Sequence, residues 1–334
     1  MTNNQDSADI FSFTVPDEMS GKRIDQVLAH YLSDYSRSRL QQWLKTGYVS
    51  MDGALPKTKE KVKGGEEVEV RLSQALDESK PKENWLAQPM QLNIIYEDDA
   101  LIIVNKPIGL VVHPGAGNLD GTMVNALVHH EPELANIPRA GVIHRIDKDT
   151  SGILVVAKTL AAHNALTQLL QAREFTREYQ AVVMGVMTGG GKIDAPIGRH
   201  PTHRTKMAAL THSKTAKEAI THYRIGKRYR SHTLVNVKLE TGRTHQIRVH
   251  MAHIGHPIIG DAVYGGRLRI PRHSTDEFLA GLRAFRRQAL HARLLGFVHP
   301  LTDEYMEWEA EMPEDMQTLI KLLEDDLVDY ANRP

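Results

Sequence analysis

The chain contains no cysteine, which removes disulfides, thiolate nucleophiles and cysteine-ligated zinc from the chemistry open to it. No apolar run approaches the ~20 residues that a membrane span needs. The opening residues, MTNNQDSADI, lack both the basic head and the apolar stretch of a secretory signal, so a cytoplasmic protein is expected. A Walker lysine, a dinucleotide fingerprint and an H-E-x-x-H pair are all missing, and no repeat of solenoid period occurs.

What is present is a soluble globular composition, 41% hydrophobic and 25% charged over 334 residues, enough for two domains with separate cores. Lys+Arg and Asp+Glu balance at 41 each, but not locally. Residues 139–299 carry 26 Lys+Arg against 10 Asp+Glu, and the flanking regions are acidic. A local excess that large points to a polyanionic partner, nucleic acid before any other.

The stretch that organises the chain is 139–157, RAGVIHRIDKDTSGILVVA. Residues 153–157 form a short apolar run with β-branched side chains, the pattern of a buried strand. In front of it stand Arg145, Asp147, Lys148 and Asp149. Ionised groups resist burial unless paired, so Asp147 is taken as the centre of a site. Lys148 and Asp149 are read as ion-pair partners holding the turn.

Taken in order, residues 1–15 are expected to be a flexible polar tail. Ile24, Val27, Leu28 and Leu32 share one helix face. A second helix, capped by Ser36, carries Arg37, Arg39 and Leu40 through Leu44. Asp52-Gly53 is a hairpin turn. Lys57, Lys59, Lys61 and Lys63 alternate at period two, which would put all four on one face of a strand. Residues 16–75 thus form a small α+β unit, followed by a proline-punctuated linker (76–91), a larger domain (92–320) and an acidic tail (321–334). In the larger domain, the loop NKPIGLVVHPGAGN (105–118) is expected to pack beneath the site rather than to cradle phosphate. Thr159 caps a helix to about Arg173, and Arg177-Glu178-Tyr179 leads into a strand over 180–184. Residues 199–206 read as an exposed basic arm, 232–240 as a strand, and 316–327 as an amphipathic helix with an acidic outer face.

RIDQVL, SRSRLQQWLKTGYVSMDG and the lysine-rich segment resemble the S4 RNA-binding domain, with Asp52 where that family usually has Asn. Five motifs in order, HRIDKDTSG, REYQAVVMG, TGRTHQIRVH, GHPIIGDAVYG and RQALHA, resemble the RluA family of pseudouridine synthases. The resemblance runs from about Gly21 to about Pro313, and VVHPGAGN and GRHPTHRTKM are most similar to members acting on large-subunit ribosomal RNA. Ile146 stands where the family usually has Leu, a swap that cores tolerate. The resemblance implies an α+β fold in which an S4-like domain precedes a catalytic domain with a mostly antiparallel mixed sheet and flanking helices. It also implies an isomerase, monomeric and without cofactor or metal, that converts uridine to pseudouridine in 23S ribosomal RNA or the large ribosomal subunit.

On that resemblance Asp147 matches the catalytic aspartate, which attacks the sugar or removes a sugar proton. Arg248 matches the arginine that pairs with it and favours its charged form. Tyr179 offers a ring to stack on uracil and a hydroxyl near the proton lost from C5. Arg145 fills the space vacated by the flipped nucleotide, where a planar guanidinium stacks as lysine cannot. His144, Arg37, Arg39, Lys57, Lys59, Lys61, Arg199, Arg204, Lys206 and Arg243 are expected to contact RNA.

Two other readings compete with this one. The histidines at 245, 250, 253 and 256, and those at 200, 203 and 212, suggest a metalloenzyme, but no carboxylate lies among the second group. A non-catalytic S4-type RNA-binding or ribosome-assembly protein is the other, and the joint presence of aspartate, tyrosine and arginine in their motifs argues against it.

Overall fold

The computed structural model describes residues 10–32, 35, 37–72, 85–115, 117–203, 205–211, 213 and 215–332. In the N-terminal unit, β1 (Ile10–Thr14), β2 (Val49–Met51) and β3 (Glu67–Arg71) form an antiparallel sheet in the order β1-β3-β2. Helices α1 (Ile24–Tyr31) and α2 (Arg37–Thr46) share its core. Ile24, Val27, Leu28, Leu40 and Trp43 are all buried, so the helical apolar stripe is the packed face. Asp52 and Gly53 sit at φ 51° and 74°, the mirror-image turn that matches strand twist.

Two expectations fail in this unit. Residues 10–14, assigned to a flexible tail, pair with β3 from Ile10↔Arg71 to Thr14↔Glu67. IFSFT alternates, and Phe11 and Phe13 pack against the core, which a reading by polarity alone overlooks. Lys57 to Lys63 do not lie on a strand either. Glu60 closes a turn at both ends, its carboxylate accepting from Lys57 N at 2.8 Å and its own N–H donating to Lys57 O at 2.9 Å. All four lysines are nevertheless exposed. The Ser36 cap, and the linker from 76 to 84, fall outside the described residues.

The larger unit is built on a nine-stranded sheet, ordered β4-β5-β6-β13-β7-β12-β11-β8, with β14 added to β13. Its strands are β4 (Ile94–Glu97), β5 (Leu101–Lys106), β6 (Ser151–Ala157), β7 (Thr176–Met184), β8 (Gly191–Asp194), β11 (Ile220–Arg228), β12 (His232–Leu239), β13 (Leu290–Val298) and β14 (Tyr305–Glu309). Among the described residues every pairing is antiparallel except β6 with β13. A separate hairpin, β9 (Ile197–Arg199) with β10 (Met207–Ala209), is the basic arm. Helices α3 (Met123–His130), α4 (Leu160–Ala172), α5 (Gln246–His253), α6 (Asp276–Ala284) and α7 (Glu314–Ala331) complete the unit. Thr159 caps α4 by accepting from Ala162 N at 3.1 Å. Every residue of β6 is buried, because its two faces pack into separate apolar clusters, Leu154 and Val156 into one, Ile153 and Val155 into the other. No helix among the described residues is long and apolar enough to cross a membrane.

Both proposed margins of this unit are wider than polarity suggested. Trp85 packs against the core, and Gln88 N donates to Asn125 O at 3.0 Å, so the end of the supposed linker is docked. Residues 321–331, assigned to a tail, continue α7. Leu319 and Leu323 are buried, and Asp326 receives Arg230 at 2.7 and 2.9 Å. The acidic face there meets basic side chains of the domain instead of water alone.

Candidate active site

The Asp147 turn is bent by backbone and held from below by lysine. Arg139, Ala140 and Gly141 all have positive φ (57°, 50° and 75°), and a Cβ on Gly141 would stand 2.1 Å from Ala157 O. Lys106, fully buried at the end of β5, donates to Pro107 O, Leu110 O and Lys148 O at 2.7, 2.9 and 2.9 Å. It thereby ties the glycine-rich loop to the residue following Asp147. Burial pulls this ammonium down to about 7, against the pull of Asp149 and Asp147.

Arg248, on α5, reaches Asp147 from the opposite side. Its Nη1 donates to Asp147 Oδ2 at 2.8 Å. Its other edge is taken by Asp261, through Nε to Oδ2 at 2.7 Å and Nη2 to Oδ1 at 2.9 Å. Asp261 also accepts the backbone N–H groups of Val263 and Tyr264 at 2.8 and 3.0 Å. Burial alone would raise the Asp261 pKa, but Arg248 and these amides hold it below the usual carboxylate range. The face of the guanidinium lies 5.1 Å from the Tyr264 ring centroid. An Asp–Arg–Asp chain of this kind keeps one carboxylate fixed and offers the other to the cleft.

Gln246 locks the turn into α5. It accepts from Thr241 Oγ1 and Arg243 N at 2.8 and 2.9 Å, and donates to Ile220 O and Thr221 Oγ1 at 3.0 and 2.9 Å. Both the oxygen and the nitrogen of its amide are used, which ties the TGRTHQ segment to the start of β11.

A cleft of about 530 Å³ lies between these segments, with residues 143–147 and 239–248 on its walls and Tyr179 and Leu290 among the lining. Of the residues expected from sequence, it brings together Asp147, Tyr179, Arg248, Arg145, His144 and Arg243. Tyr179 is buried within β7, and burial raises its hydroxyl pKa, opposed by Arg177 and reinforced by Asp147. Arg145 is exposed. His144 is buried edge-on to Phe175, and burial, then Arg177 and Arg139, push it down to about 3. It is a neutral wall residue and presents little surface to a ligand.

The remaining expected residues lie elsewhere. Arg37 Nε donates to the buried Asp25 at 3.0 Å, and Arg39 stacks 5.5 Å from Tyr35 and 5.8 Å from Trp43, so both help hold the N-terminal unit together. Lys57, Lys59, Lys61 and Arg199 are exposed, Lys206 Nζ donates to Val263 O at 3.1 Å, and Arg204 lies outside the described residues. The histidines of α5 and its flanks point to different partners: His250 to Thr221 and Ala195 O, His256 to Met184 O, His245 to Tyr264.

Asp261, Tyr264 and Lys106 were not singled out from sequence, and His245 only as one of a histidine group read toward a metal. A signal existed for the first two, since GDAVYG places a carboxylate and a tyrosine three apart, and a buried arginine flanked by one aspartate calls for a second anion.

Residues 100–253, which include Asp147, Tyr179 and Arg248, match the family described as RNA pseudouridylate synthase. The chain is 51% identical to ribosomal large subunit pseudouridine synthase D of Pseudomonas aeruginosa, over 93% of this chain and 95% of that protein. This chain belongs to the pseudouridine synthase family. The pseudouridine synthase of the same description from Escherichia coli (strain K12) is 50% identical, over 96% of each chain. Among solved structures, human RNA pseudouridylate synthase domain containing 4 is similar with a TM-score of 0.54 and 26% identity, covering 70% of this chain and 93% of that one. Human RNA pseudouridylate synthase domain containing 1, at 24% identity and a TM-score of 0.53 over 74% of this chain and 98% of that one, shares the fold. The enzyme is an isomerase of the pseudouridine synthase class.

Proposed function

We propose that this pseudouridine synthase converts specific uridines of 23S ribosomal RNA to pseudouridine, with Asp147 as the reacting carboxylate. The observation that carries the assignment is the 2.8 Å contact between Arg248 Nη1 and Asp147 Oδ2 in the wall of the cleft. It fixes one oxygen of the carboxylate beside a full positive charge at the cleft wall. The choice of RNA rests on relatives whose names specify the large ribosomal subunit.

In the reaction the N1–C1′ bond breaks, uracil turns in place, a C5–C1′ bond forms, the C5 proton departs and the freed N1 takes up a proton. Asp147 attacks the sugar or removes a sugar proton, and either step needs the carboxylate charged. Tyr179 supplies the flat wall that keeps the detached base, and its raised pKa keeps the hydroxyl protonated at neutral pH. Arg145, exposed at the cleft, takes the place of the extruded nucleotide. The N-terminal unit, through Lys57, Lys59 and Lys61, and the arm, through Arg199, hold the RNA backbone by charge.

Pseudouridine mapping of 23S ribosomal RNA from cells lacking the protein tests this reading. A small set of sites is expected to vanish, to return with the wild type, and to stay absent with Asp147→Asn while that variant still binds RNA. Persistence of every site, or rescue by the asparagine variant, refutes it.

A further inference from the structure

Tyr264 stands between the hairpin arm and Asp147. Its hydroxyl accepts the Met207 N–H of β10 at 2.9 Å and lies 2.9 Å from His245 Nδ1. With the backbone N–H on one lone pair, the hydroxyl proton finds His245 Nδ1 as its acceptor among the described residues. With Nδ1 as that acceptor, the neutral ring holds its single proton on Nε2. That nitrogen faces Asp147 Oδ1 at 3.8 Å, beyond hydrogen-bond length but within a small closure of it. Arg248 occupies the other oxygen, Oδ2.

A second observation concerns the backbone. His245 has φ 56° and ψ 23°, a left-handed conformation that a side chain with a Cβ resists and that collects at functional sites. The turn spends that strain on placing one imidazole in the cleft wall. Burial, against the pull of Asp147, lowers the His245 pKa, which agrees with a neutral ring.

We propose that His245 is a positioning residue for the isomerisation. It donates Nε2–H to Asp147 Oδ1 when RNA seats against the arm, so that two donors, one on each oxygen, fix the plane of the carboxylate. Tyr264 and the β10 backbone set the tautomer that makes this donation possible, and so couple the arm to the reacting group. The inference rests on Asp147 being that group.

The test compares single-turnover isomerisation of ribosomal RNA by His245→Leu, His245→Gln and Tyr264→Phe. Leucine keeps the volume without a donor and is expected to lose about 10- to 100-fold, the worth of a hydrogen bond to a charged group. Glutamine places an N–H near the position of Nε2 and is expected to recover most of the rate. Tyr264→Phe keeps the ring under Arg248, removes the tautomer lock, and is expected to lose about tenfold at saturating RNA. Nitrogen-15 NMR of His245 is expected to show the Nε2–H tautomer in the wild type and a mixture in Tyr264→Phe. Full rate in His245→Leu, equal losses in the leucine and glutamine variants, or a wild-type proton on Nδ1 each overturns the inference. Asp147→Asn run alongside separates the two readings: an active asparagine variant removes the premise, whereas an inactive one beside a fast leucine variant removes the role of His245 alone.

Discussion

Arg248 grips Asp261 with two of its three nitrogens, Nε at 2.7 Å and Nη2 at 2.9 Å, and keeps Nη1 for Asp147. Asp261 is fully buried and Arg248 nearly so. The arginine is thus aimed by a residue that has no access to the substrate, and the geometry at Asp147 depends on it.

Replacing that anchor tests the dependence. Asp261→Asn leaves a buried guanidinium facing a neutral amide whose N–H group opposes it. A stability loss of about 3 kcal/mol is expected, the lower end for breaking a buried pair, with a turnover loss of about 100-fold from misplacement. Urea unfolding and single-turnover rates measure the two. If the variant matches the wild type in both, Asp147 by itself suffices to place Arg248.

Gly152 carries the turn into β6. It sits at φ 113°, and a Cβ there would stand 2.1 Å from Ala292 O on the parallel neighbour β13. Backbone cannot rotate away as a side chain can, so Gly152→Ala is expected to cost about 3 kcal/mol or more. Gly189→Ala, with open space around its Cβ, is expected to stay within about 0.5 kcal/mol. Melting of the two variants side by side checks the contrast, and equal melting points would remove the argument.

Buried neutral histidines set an acid limit. Burial, then neighbouring arginines, push His144 down to about 3 and His232 to about 4. In the unfolded chain both take up protons below about 6.5. The unfolded state therefore binds more protons as pH falls, so this stability is complete above pH 6.5 and is lost on acidification. Between pH 6.5 and 5 the loss is about 2 kcal/mol for each histidine. Urea midpoints at pH 7 and 5 measure it, and a flat profile contradicts it.

The lysine-rich turn is accessible to RNA but far in sequence from the cleft motifs. Replacing Lys57, Lys59 and Lys61 together with alanine is expected to lower the slope of log affinity against log salt by about 2, close to 0.7 per phosphate contact. The single-turnover rate at saturating RNA should not change. An unaltered slope would mean that these side chains do not touch phosphate.

Some of this was open to inspection of the chain. The stripe Ile24, Val27, Leu28, the Asp52-Gly53 turn, the buried run of β6 and the Thr159 cap are local patterns, and each reappears where its spacing places it. Asp147, Tyr179 and Arg248 were reachable through the motifs that hold them. Three of the misses share one cause. IFSFT, the segment from Trp85 and the end of α7 were judged by polarity, which reports that a segment has a wet face and says nothing of the dry face opposite.

The amino-acid sequence alone therefore determined which segments are helix, strand or turn wherever the apolar period is written within a few residues, and which residue types are on hand for the chemistry. Only the tertiary structure decided which of them meet. Arg248 lies 101 positions from Asp147 and 13 from Asp261, and neither spacing has a periodic signature. Those contacts arise because the nine-stranded sheet and α5 bring distant segments to one cleft, where the carboxylates beside the Arg248 guanidinium offset the cost of burying it.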